Sequence, residues 1–364
     1  MLRFGRVVTV MTICLAMLLL IAGCGGSTKN KDAKIGVSMP NRTLQRWNQD
    51  SEYLEKNLRD RGYKVFLEFA DNDAAMQKMQ LQQMIDEGCK ILVVTAVNTD
   101  VLTDVLEVAK DNGVKVIAYD RLLMNTDAVD FYASFDNITV GTMQGEFIAE
   151  NLSLKNGAGP YKMEIFAGSL DDNNSRLFFE GAMDVLRPYI KSGQLIVKSG
   201  QKDLVSCATL HWQEYIAKAR MTLLLSSYYT NDKVDVVLCA NDSTAMGVQT
   251  ALKEAGYGMP SKKMPIITGQ DADKKNVVAI INGEQSMTVF KDTRILAEHA
   301  LKMIDAMMAG KEPETNDIGN YDNGVKSVPS FLIRPQVVTK ANYRELLIDS
   351  GYYTEKDLQI NLGR

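Results

Sequence analysis

Histidine is scarce in this sequence, and the residue patterns that mark most enzymes are missing from it. Only His211 and His299 occur among the 364 residues. The chain contains no G-x-S-x-G, H-E-x-x-H, phosphate-loop or G-x-G-x-x-G pattern, which argues against the common hydrolase, metalloprotease and nucleotide-binding classes. Its cysteines have neither an evident base nor the spacing of metal ligands. We therefore predict no enzyme activity, no cofactor and no metal site.

An excess of positive charge is also missing. Lysine and arginine number 41 against 45 aspartates and glutamates, which gives a net charge of -4 at pH 7. Such a chain has no general attraction for nucleic acid, so we predict no nucleic-acid partner. The composition, 46% hydrophobic and 24% charged, is that of a folded globular protein. The length suits two lobes of roughly 130 to 150 residues, each with its own core.

A long apolar run occurs at the amino terminus. Arg3 and Arg6 precede an apolar stretch over residues 7–22, which is too short for a stable membrane span and is typical of a signal peptide. The stretch leads into L-I-A-G-C, which resembles the bacterial lipobox. We predict a lipoprotein signal peptide over residues 1–23 and a lipid on Cys24. An ordinary secretory signal or an uncleaved anchor is the alternative.

Few cysteines remain for the body of the protein. Cys14 would leave with the signal peptide, and residues 24–33 are small and polar, which predicts a flexible tether. The remaining three cysteines, Cys89, Cys207 and Cys239, allow at most one disulfide. Cys239 lies in an apolar strand pattern and is most simply a buried thiol.

From residue 34 onward the sequence alternates strand and helix patterns. Helical stretches end at glycine, as at Gly62 and Gly88, and later helical patterns cover residues 139–152, 176–190 and 244–255. The β-α-β series predicts a doubly wound parallel sheet, and a second series of the same form begins after residue 160. We predict an α/β fold of two doubly wound parallel-sheet lobes joined by a three-strand hinge.

The two halves of this pseudo-repeat define the predicted lobes. The amino-terminal lobe comprises residues 34–135 and 292–326, and the carboxyl-terminal lobe with its tail comprises residues 136–291 and 327–364. The chain is predicted to pass between the lobes near residues 134–137, 289–292 and 327–331. The β-α units on either side of each passage belong to different halves.

Two stretches at the ends of predicted strands organise the expected site. Residues 116–121 read V-I-A-Y-D-R, and residues 265–271 read P-I-I-T-G-Q-D. Each is a buried-strand pattern that leads to an acid, Asp120 in one half and Asp271 in the other. Open α/β sheets bind ligands at the carboxyl edge of their strands. We therefore expect both carboxylates to face one shared cleft.

Further polar side chains lie near the other predicted strand ends. Asp, Asn and Arg offer two or more fixed hydrogen-bonding positions each, which suits the vicinal hydroxyl groups of a monosaccharide. The C-H faces of a sugar ring suit flat apolar partners, and the only two tryptophans fall one in each half. The predicted ligand-binding residues are Arg46, Trp47, Asp120, Arg121, Asp172, Asn174, Trp212, Asn241, Asp271 and Lys291.

Several of these residues also have a purely structural interpretation. Asp120 with Arg121 could form an ion pair between the lobes, and Lys291 could be solvated or could pair at the hinge. The two tryptophans could be ordinary packing aromatics. Asn241 could cap the helix that follows it.

Several motifs occur in the order seen in one known family. R-W after the first strand, V-I-A-Y-D-R, Y-A-S-F-D-N, G-S-L-D-D-N-N-S-R-L-F, L-H-W, C-A-N-D, G-Q-D-A-D and M-T-V-F-K-D-T resemble the periplasmic D-xylose-binding proteins and their multiple-monosaccharide-binding relatives. Those proteins serve ABC sugar importers. The similarity extends from about residue 34 to residue 353. It implies the type 1 periplasmic-binding-protein fold, a cleft that closes on the sugar, and sugar contacts at the ten positions above.

The resemblance also implies a location, partners and a ligand class. It indicates a monomeric extracytoplasmic lipoprotein, periplasmic in a Gram-negative cell, that works with an ABC permease and its ATPase. D-Xylose is the first expected ligand, followed by D-glucose, D-galactose and L-arabinose. C-A-N-D is similar to the xylose binders. The multiple-sugar branch is resembled instead by Y-Y-T-N-D-K-V-D, G-Y-G-M-P and D-S-G-Y-Y-T-E. A module that presents a sugar to a membrane chemoreceptor or sensor kinase is the alternative. An extracytoplasmic carbohydrate enzyme is a third candidate.

Overall fold

The computed structural model describes residues 32–359. The predicted signal peptide, Cys24 and most of the predicted tether lie outside this range. Within it, no helix is both long enough and apolar enough to cross a membrane.

Strands and helices alternate along most of the chain. The strands are β1 Lys34–Met39, β2 Lys64–Phe69, β3 Ile91–Val94, β4 Lys115–Tyr119, β5 Phe131–Phe135, β6 Tyr161–Phe166, β7 Leu195–Val197, β8 Val236–Cys239, β9 Ile266–Ile267, β10 Thr288–Phe290, β11 Ser330–Ile333 and β12 Gln336–Val338. The helices are α1 Gln45–Asp60, α2 Ala74–Asp86, α3 Thr103–Asp111, α4 Asn137–Asn151, α5 Asn173–Ser192, α6 Leu204–Cys207, α7 Glu214–Tyr228, α8 Asp242–Glu254, α9 Lys274–Asn282 and α10 Thr293–Met308.

Two separate parallel sheets form the centres of two lobes. The amino-terminal sheet has six parallel strands in the order β11-β5-β4-β3-β1-β2. The carboxyl-terminal sheet has four parallel strands in the order β7-β6-β8-β9. A third, two-stranded sheet pairs β10 with β12 in antiparallel fashion. The predicted α/β fold with two parallel-sheet lobes is confirmed.

Helices cover both faces of each large sheet, which is why its central strands, such as β3 and β4, are mostly apolar. In the amino-terminal lobe, Val93 and Ile117 pack with α1 and α10, while Leu92 and Val116 pack with α2 and α3. In the carboxyl-terminal lobe, α4 and α5 cover one face, and α7 and α8 cover the other. Parallel strands buried on both faces read as continuous apolar runs.

The third passage between the lobes lies later than the sequence predicts. Strand β11 pairs with β5, with Ser330 beside Tyr132 and Ile333 beside Phe135. Residues 330–333 therefore belong to the amino-terminal sheet, and the assignment of all of residues 327–364 to the other lobe is wrong. The chain leaves that sheet between Ile333 and Gln336. An apolar strand pattern does not encode which sheet edge the strand joins, because tertiary packing decides the pairing.

Three helices begin earlier than their apolar patterns indicate. Helices α4, α5 and α8 start at residues 137, 173 and 242, because an Asp or Asn side chain caps each of them. The capping side chain accepts a hydrogen bond from a backbone N-H of the first turn, so polar residues before the apolar stripe become helical. The starts of these helices consequently lie close to the carboxyl ends of the strands.

A close contact between α4 and α5 brings their amino-terminal ends together. A Cβ atom on Gly141 would lie 2.0 Å from the carbonyl oxygen of Phe178, and one on Gly181 would lie 2.2 Å from that of Ile138. Only glycine allows backbones to approach this closely. Asn137 at the start of α4 thereby reaches Asn174 at the start of α5, with 3.0 Å between Nδ2 and Oδ1.

Candidate ligand-binding site

A small cavity of about 20 Å³ lies between the lobes, at the carboxyl ends of the strands. All ten residues predicted to bind ligand line it, together with Leu44, Phe178 and Gln270. None of the ten is more than 9% exposed. Contact of these ten residues with a ligand stays a prediction.

Asp120 follows β4 in a turn that its neighbours hold in a left-handed conformation. Its φ is 60°, which is uncommon for a residue other than glycine. The backbone N-H of Asp120 donates to the Ala133 carbonyl at 2.8 Å. The Asp120 carbonyl accepts from the hydroxyls of Tyr132 at 2.7 Å and Ser134 at 2.8 Å. These bonds to β5 fix the position of Asp120 at the edge of the cavity.

The first turn of α1 contributes Arg46 and Trp47. The Arg46 guanidinium lies 2.7 Å from the Asp120 carboxylate. It also lies 3.4 Å from the carboxylates of Asp50 and Asp271. Its central carbon lies 4.3 Å from the centre of the Trp47 ring, a cation-π distance that holds the two side chains together. Because Asp271 belongs to the other lobe, Arg46 joins the two walls of the cavity.

A second pair of charges joins the walls on the side of α5. Arg121 Nε lies 2.9 Å from Asp172 Oδ2, while Arg121 Nη1 donates to the Ala96 carbonyl at 2.8 Å. Asp172 also accepts from the backbone N-H of Asn174 at 2.9 Å, which caps α5. Asn174 Nδ2 donates to the Asp120 carbonyl at 2.9 Å. The start of α5 is thus connected to both Asp120 and Arg121 of the opposite lobe.

Trp212 lies against the backbone after β6. A Cβ atom on Gly168 would lie 1.9 Å from Cη2 of the indole, so the ring occupies the space that any other residue at position 168 would need. Trp212 has a φ of 60° and meets Phe178 edge to face, with 6.1 Å between the ring centroids. The left-handed backbone and the bare glycine together place the indole at the cavity.

The carboxyl-terminal lobe supplies the remaining polar groups. Lys291 Nζ lies 2.9 Å from Asp271 Oδ1 and 4.0 Å from Asp120 Oδ2. Asn241 Oδ1 accepts from the backbone N-H of Thr244 at 2.9 Å. Lys291 follows β10, where the chain passes to the amino-terminal lobe, so it lies between the two acids that the strand ends contribute.

The structural interpretations of these residues are partly confirmed. Asn241 caps α8 and also lines the cavity. Arg121 does form an ion pair between the lobes, but its partner is Asp172. Lys291 is only 3% exposed, so the solvated interpretation is wrong. Trp47 and Trp212 both pack in one apolar cluster, so each tryptophan is a packing residue as well as a lining residue.

Residues 35–312 match a sequence family described as a periplasmic binding protein domain. This protein belongs to the periplasmic binding protein family. It is 47% identical over 325 residues to the multiple sugar-binding periplasmic receptor ChvE of Rhizobium radiobacter, covering 89% of this chain and 92% of that protein. It is 35% identical over 353 residues to the D-xylose-binding periplasmic protein of Haemophilus influenzae, covering 96% and 99% of the two chains.

A solved structure of a relative has the same fold. An ABC transporter solute binding protein from Clostridium phytofermentans, crystallised with bound β-D-glucose, matches with a TM-score of 0.87 and 51% sequence identity. The match covers 89% of this chain and 99% of that one. The family resemblance drawn from the motifs is therefore confirmed. Family membership also confirms that this periplasmic binding protein is not an enzyme and that it acts outside the cytoplasm.

Buried charges give this binding protein an uneven set of pKa values. Burial raises the pKa of Asp50 to about 7, although Arg46 acts in the opposite direction. Burial likewise raises the pKa of Asp172, against the effect of Arg121. Burial alone would raise the pKa of Asp120 too, but Arg46 and two further cations hold it below its ordinary value. Asp120 is therefore ionised at neutral pH, whereas Asp50 titrates close to it.

Several polar atoms at the cavity have no hydrogen-bond partner among residues 32–359. Three of them are Nε1 of Trp47, Nε1 of Trp212 and Oε1 of Gln270. A buried polar atom without a partner costs free energy, on the order of 1–3 kcal/mol for each group. These atoms are two donors and one acceptor, so a ligand with hydroxyl groups could satisfy all three.

Four residues at or behind the cavity were not among the ten predicted positions. Phe178 and Leu44 look like ordinary core residues in a helical pattern, so the sequence gives no separate signal for them. Gln270 stands directly before Asp271, and its place at a strand end is the signal that marks it. Asp50 lies four positions after Arg46 on α1, a spacing at which charged side chains meet.

No metal site or disulfide accompanies this cavity in the described part of the chain. Residues 32–359 contain no cluster of His, Cys, Asp and Glu side chains that could hold a metal ion. Cys89, Cys207 and Cys239 are buried free thiols, and burial raises the pKa values of Cys89 and Cys207 to about 11.

Replacing Asp50 with asparagine should make the stability of the protein less dependent on pH. The folded pKa of about 7 exceeds the ordinary value of 3.8, so Asp50 takes up a proton on folding between these values. The stability gained from this proton uptake is fully present below about pH 4 and is lost as the pH rises through about 7. The free energy of unfolding falls by at most about 1.4 kcal/mol per pH unit. The asparagine keeps an acceptor for the Tyr119 hydroxyl but does not titrate.

Urea unfolding of wild type and Asp50→Asn from about pH 4 to about pH 8 measures this difference. The free energy of unfolding of wild type should fall relative to that of the variant across the range. The matched control is Asp60→Asn, because the Asp60 side chain is 63% exposed. Parallel curves for wild type and Asp50→Asn would contradict the prediction.

Proposed function

We propose that this protein captures an aldose monosaccharide in the cavity between its lobes and delivers it to the permease and ATPase of an ABC importer. D-Glucose and D-xylose are the first candidates, because relatives with bound β-D-glucose and with D-xylose in their names match along most of the chain. D-Galactose and L-arabinose come next. The protein acts as a monomer and presents the sugar in the closed form.

The composition of the cavity lining is the observation that carries this proposal. Asp120 and Arg121 from one lobe, with Asp172, Asn241 and Asp271 from the other, offer the paired donors and acceptors that suit vicinal hydroxyl groups. One tryptophan from each lobe offers an apolar face. The three acids and three cations among the ten residues also balance, which suits an uncharged ligand.

Thermal unfolding with a panel of sugars tests the proposal. A ligand that binds only the folded state raises the melting temperature by mass action, so at least one of the four aldoses should raise it. Deoxy analogues of that sugar should bind at least about tenfold more weakly, because each missing hydroxyl leaves buried polar groups unpaired. If every aldose had no effect while an amino acid raised the melting temperature, the proposal would be wrong.

We also propose that the mature protein begins at Cys24 and is held at the membrane by a lipid on that cysteine. The support is the lipobox-like L-I-A-G-C sequence after a short apolar run. Wild type made in a bacterial host should partition into the detergent phase, and Cys24→Ser should remain aqueous or keep its signal peptide. Cys89→Ser is the control, since it removes a buried thiol and should not alter partitioning. Equal partitioning of wild type and a Cys24→Ser chain that has lost its signal peptide would disprove lipidation at this residue.

A further inference from the structure

Asp242 lies behind the cavity wall and does not line the cavity. Its side chain is completely buried. Three donors surround its carboxylate. Oδ2 accepts from the backbone N-H of Asp273 at 2.9 Å and from the Thr288 hydroxyl at 3.0 Å, and Oδ1 accepts from Gln285 Nε2 at 2.9 Å. The sequence shows Asp242 beside Asn241 at a strand end, but the helix cap is made by Asn241 alone.

The groups around Asp242 hold one short segment, residues 270–273. The backbone N-H of Asp242 donates to the Gln270 carbonyl at 3.0 Å. The backbone N-H of Ala272 donates to the Thr288 hydroxyl at 3.2 Å, and that hydroxyl in turn donates to Asp242. Asp242 therefore fixes this segment at Gln270 and Asp273 directly, and at Ala272 through Thr288.

This segment has an unfavourable backbone conformation that requires such support. Asp271 has a φ of 98° and Ala272 a φ of 53°, in the region that residues with a side chain rarely adopt. Strained backbone of this kind persists only where the surroundings determine it, and it concentrates at functional sites. Here the strained residue is Asp271, whose carboxylate lines the cavity.

The close packing around Asp242 leaves its carboxylate a single position. A Cβ atom on Gly269 would lie 2.0 Å from Asp242 Oδ1, so the carboxylate rests directly on the backbone of the preceding residues. A buried carboxylate is costly unless hydrogen bonds compensate it, and here three donors do so. One of these donors, the backbone N-H of Asp273, belongs to the strained segment, so the acid and the conformation of that segment depend on each other.

We propose that Asp242 is a positioning residue for ligand binding, which holds the left-handed Asp271–Ala272 turn so that the Asp271 carboxylate faces the cavity. The proposal rests on the proposed function, in which Asp271 contacts the sugar. Asp242 itself does not touch the ligand. Its effect on affinity must therefore pass through the segment that it holds, and the part that passes through Asp271 can be measured.

A double-mutant cycle read out by titration calorimetry with D-glucose provides the measurement. Asp242→Asn has the same size but places an N-H₂ group against one of the three donors, and we expect it to weaken binding about tenfold. In the Asp271→Ala background the same substitution should change affinity by less than about twofold, because the group that it positions is gone.

A second pair of variants covers the possibility that Asp242→Asn does not fold. Thr288→Val removes the hydroxyl that links Ala272 to Asp242 and should also weaken binding, whereas Thr288→Ser keeps the hydroxyl and should retain the affinity of wild type. The matched control is Glu164→Gln. Glu164 is an equally buried acid that bonds to Ser199 and Tyr229, so its loss should lower the melting temperature and leave the affinity unchanged.

The possible outcomes separate this inference from the proposed function. Two results would overturn the positioning role and leave the sugar site in place. One is an equal loss of affinity on Asp242→Asn with and without the Asp271 carboxylate. The other is an equal affinity of Thr288→Val and Thr288→Ser. If Asp271→Ala alone left the affinity for every aldose unchanged, the proposed site would fail, and the positioning role with it. A loss confined to the background that retains Asp271 supports the proposal.

Discussion

Replacing Asp271 with alanine is expected to weaken monosaccharide binding by about 10- to 150-fold, which corresponds to about 1.5–3 kcal/mol. The carboxylate is 9% exposed and lies at the cavity with Lys291 at 2.9 Å and Arg46 at 3.4 Å. Its removal deletes a charged acceptor for the sugar. It also leaves two buried cations with one acid fewer, so the closed arrangement loses stability as well.

Asp120→Ala should produce a loss of the same order from the opposite wall. Asp120 lies 2.7 Å from Arg46 and follows a strand of the other lobe. Because Asp120 and Asp271 share Arg46 and Lys291, the losses from the two substitutions should not simply add. Titration calorimetry with D-glucose and D-xylose gives the affinities, and circular dichroism verifies that both variants fold. Asp60→Ala, which removes an exposed acid, is the control. Unchanged affinity in both cavity variants would contradict the assignment of the site.

Gly168→Ala should abolish most of the binding although it adds a single methyl group. The new Cβ would lie 1.9 Å from the indole of Trp212, and carbon atoms that are not bonded to each other cannot approach so closely, so the ring must leave its position. The Trp212 indole supplies one of the two aromatic faces at the cavity and a donor without a partner in the described residues. We expect affinity to fall at least about tenfold, or about 1.4 kcal/mol.

Trp212→Ala and the double variant distinguish displacement of the ring from general damage. Trp212→Ala should weaken binding by a similar factor, and Gly168→Ala should cost no further affinity once the indole is absent. Gly319→Ala is the control glycine, because a Cβ atom there meets nothing within 4 Å. Full affinity in Gly168→Ala would show that the indole does not take part in binding.

Much of the site could be predicted because parallel topology brings distant residues together. Asp120 and Asp271 are far apart in the chain, yet both follow apolar strand patterns, and the carboxyl ends of parallel strands share one edge. The same argument placed Asp172 and Asn241 near strand ends, and the structure shows that each also caps the helix that follows it. The family motifs then identified the same ten positions, and all ten line one cavity.

Other features depend on tertiary contacts that local patterns do not encode. Asp50 reads as a surface acid on a helix, but it is completely buried because Arg46 and Tyr119 satisfy it. The left-handed conformations of Asp120, Trp212 and Asp271 have no glycine to mark them. Strand β11 joins the amino-terminal sheet through packing against β5, which its own sequence does not determine.

The central claim is that residues of both lobes hold one ligand, so that binding draws the lobes together. Ligand contacts made only in the closed form shift the equilibrium toward that form. Small-angle X-ray scattering of the wild-type protein with and without saturating D-glucose or D-xylose tests this claim most directly. The account predicts that the radius of gyration decreases on adding the sugar, and that Asp120→Ala and Asp271→Ala contract only at higher sugar concentrations. A wild-type protein that binds the sugar and shows no contraction at saturation would contradict it.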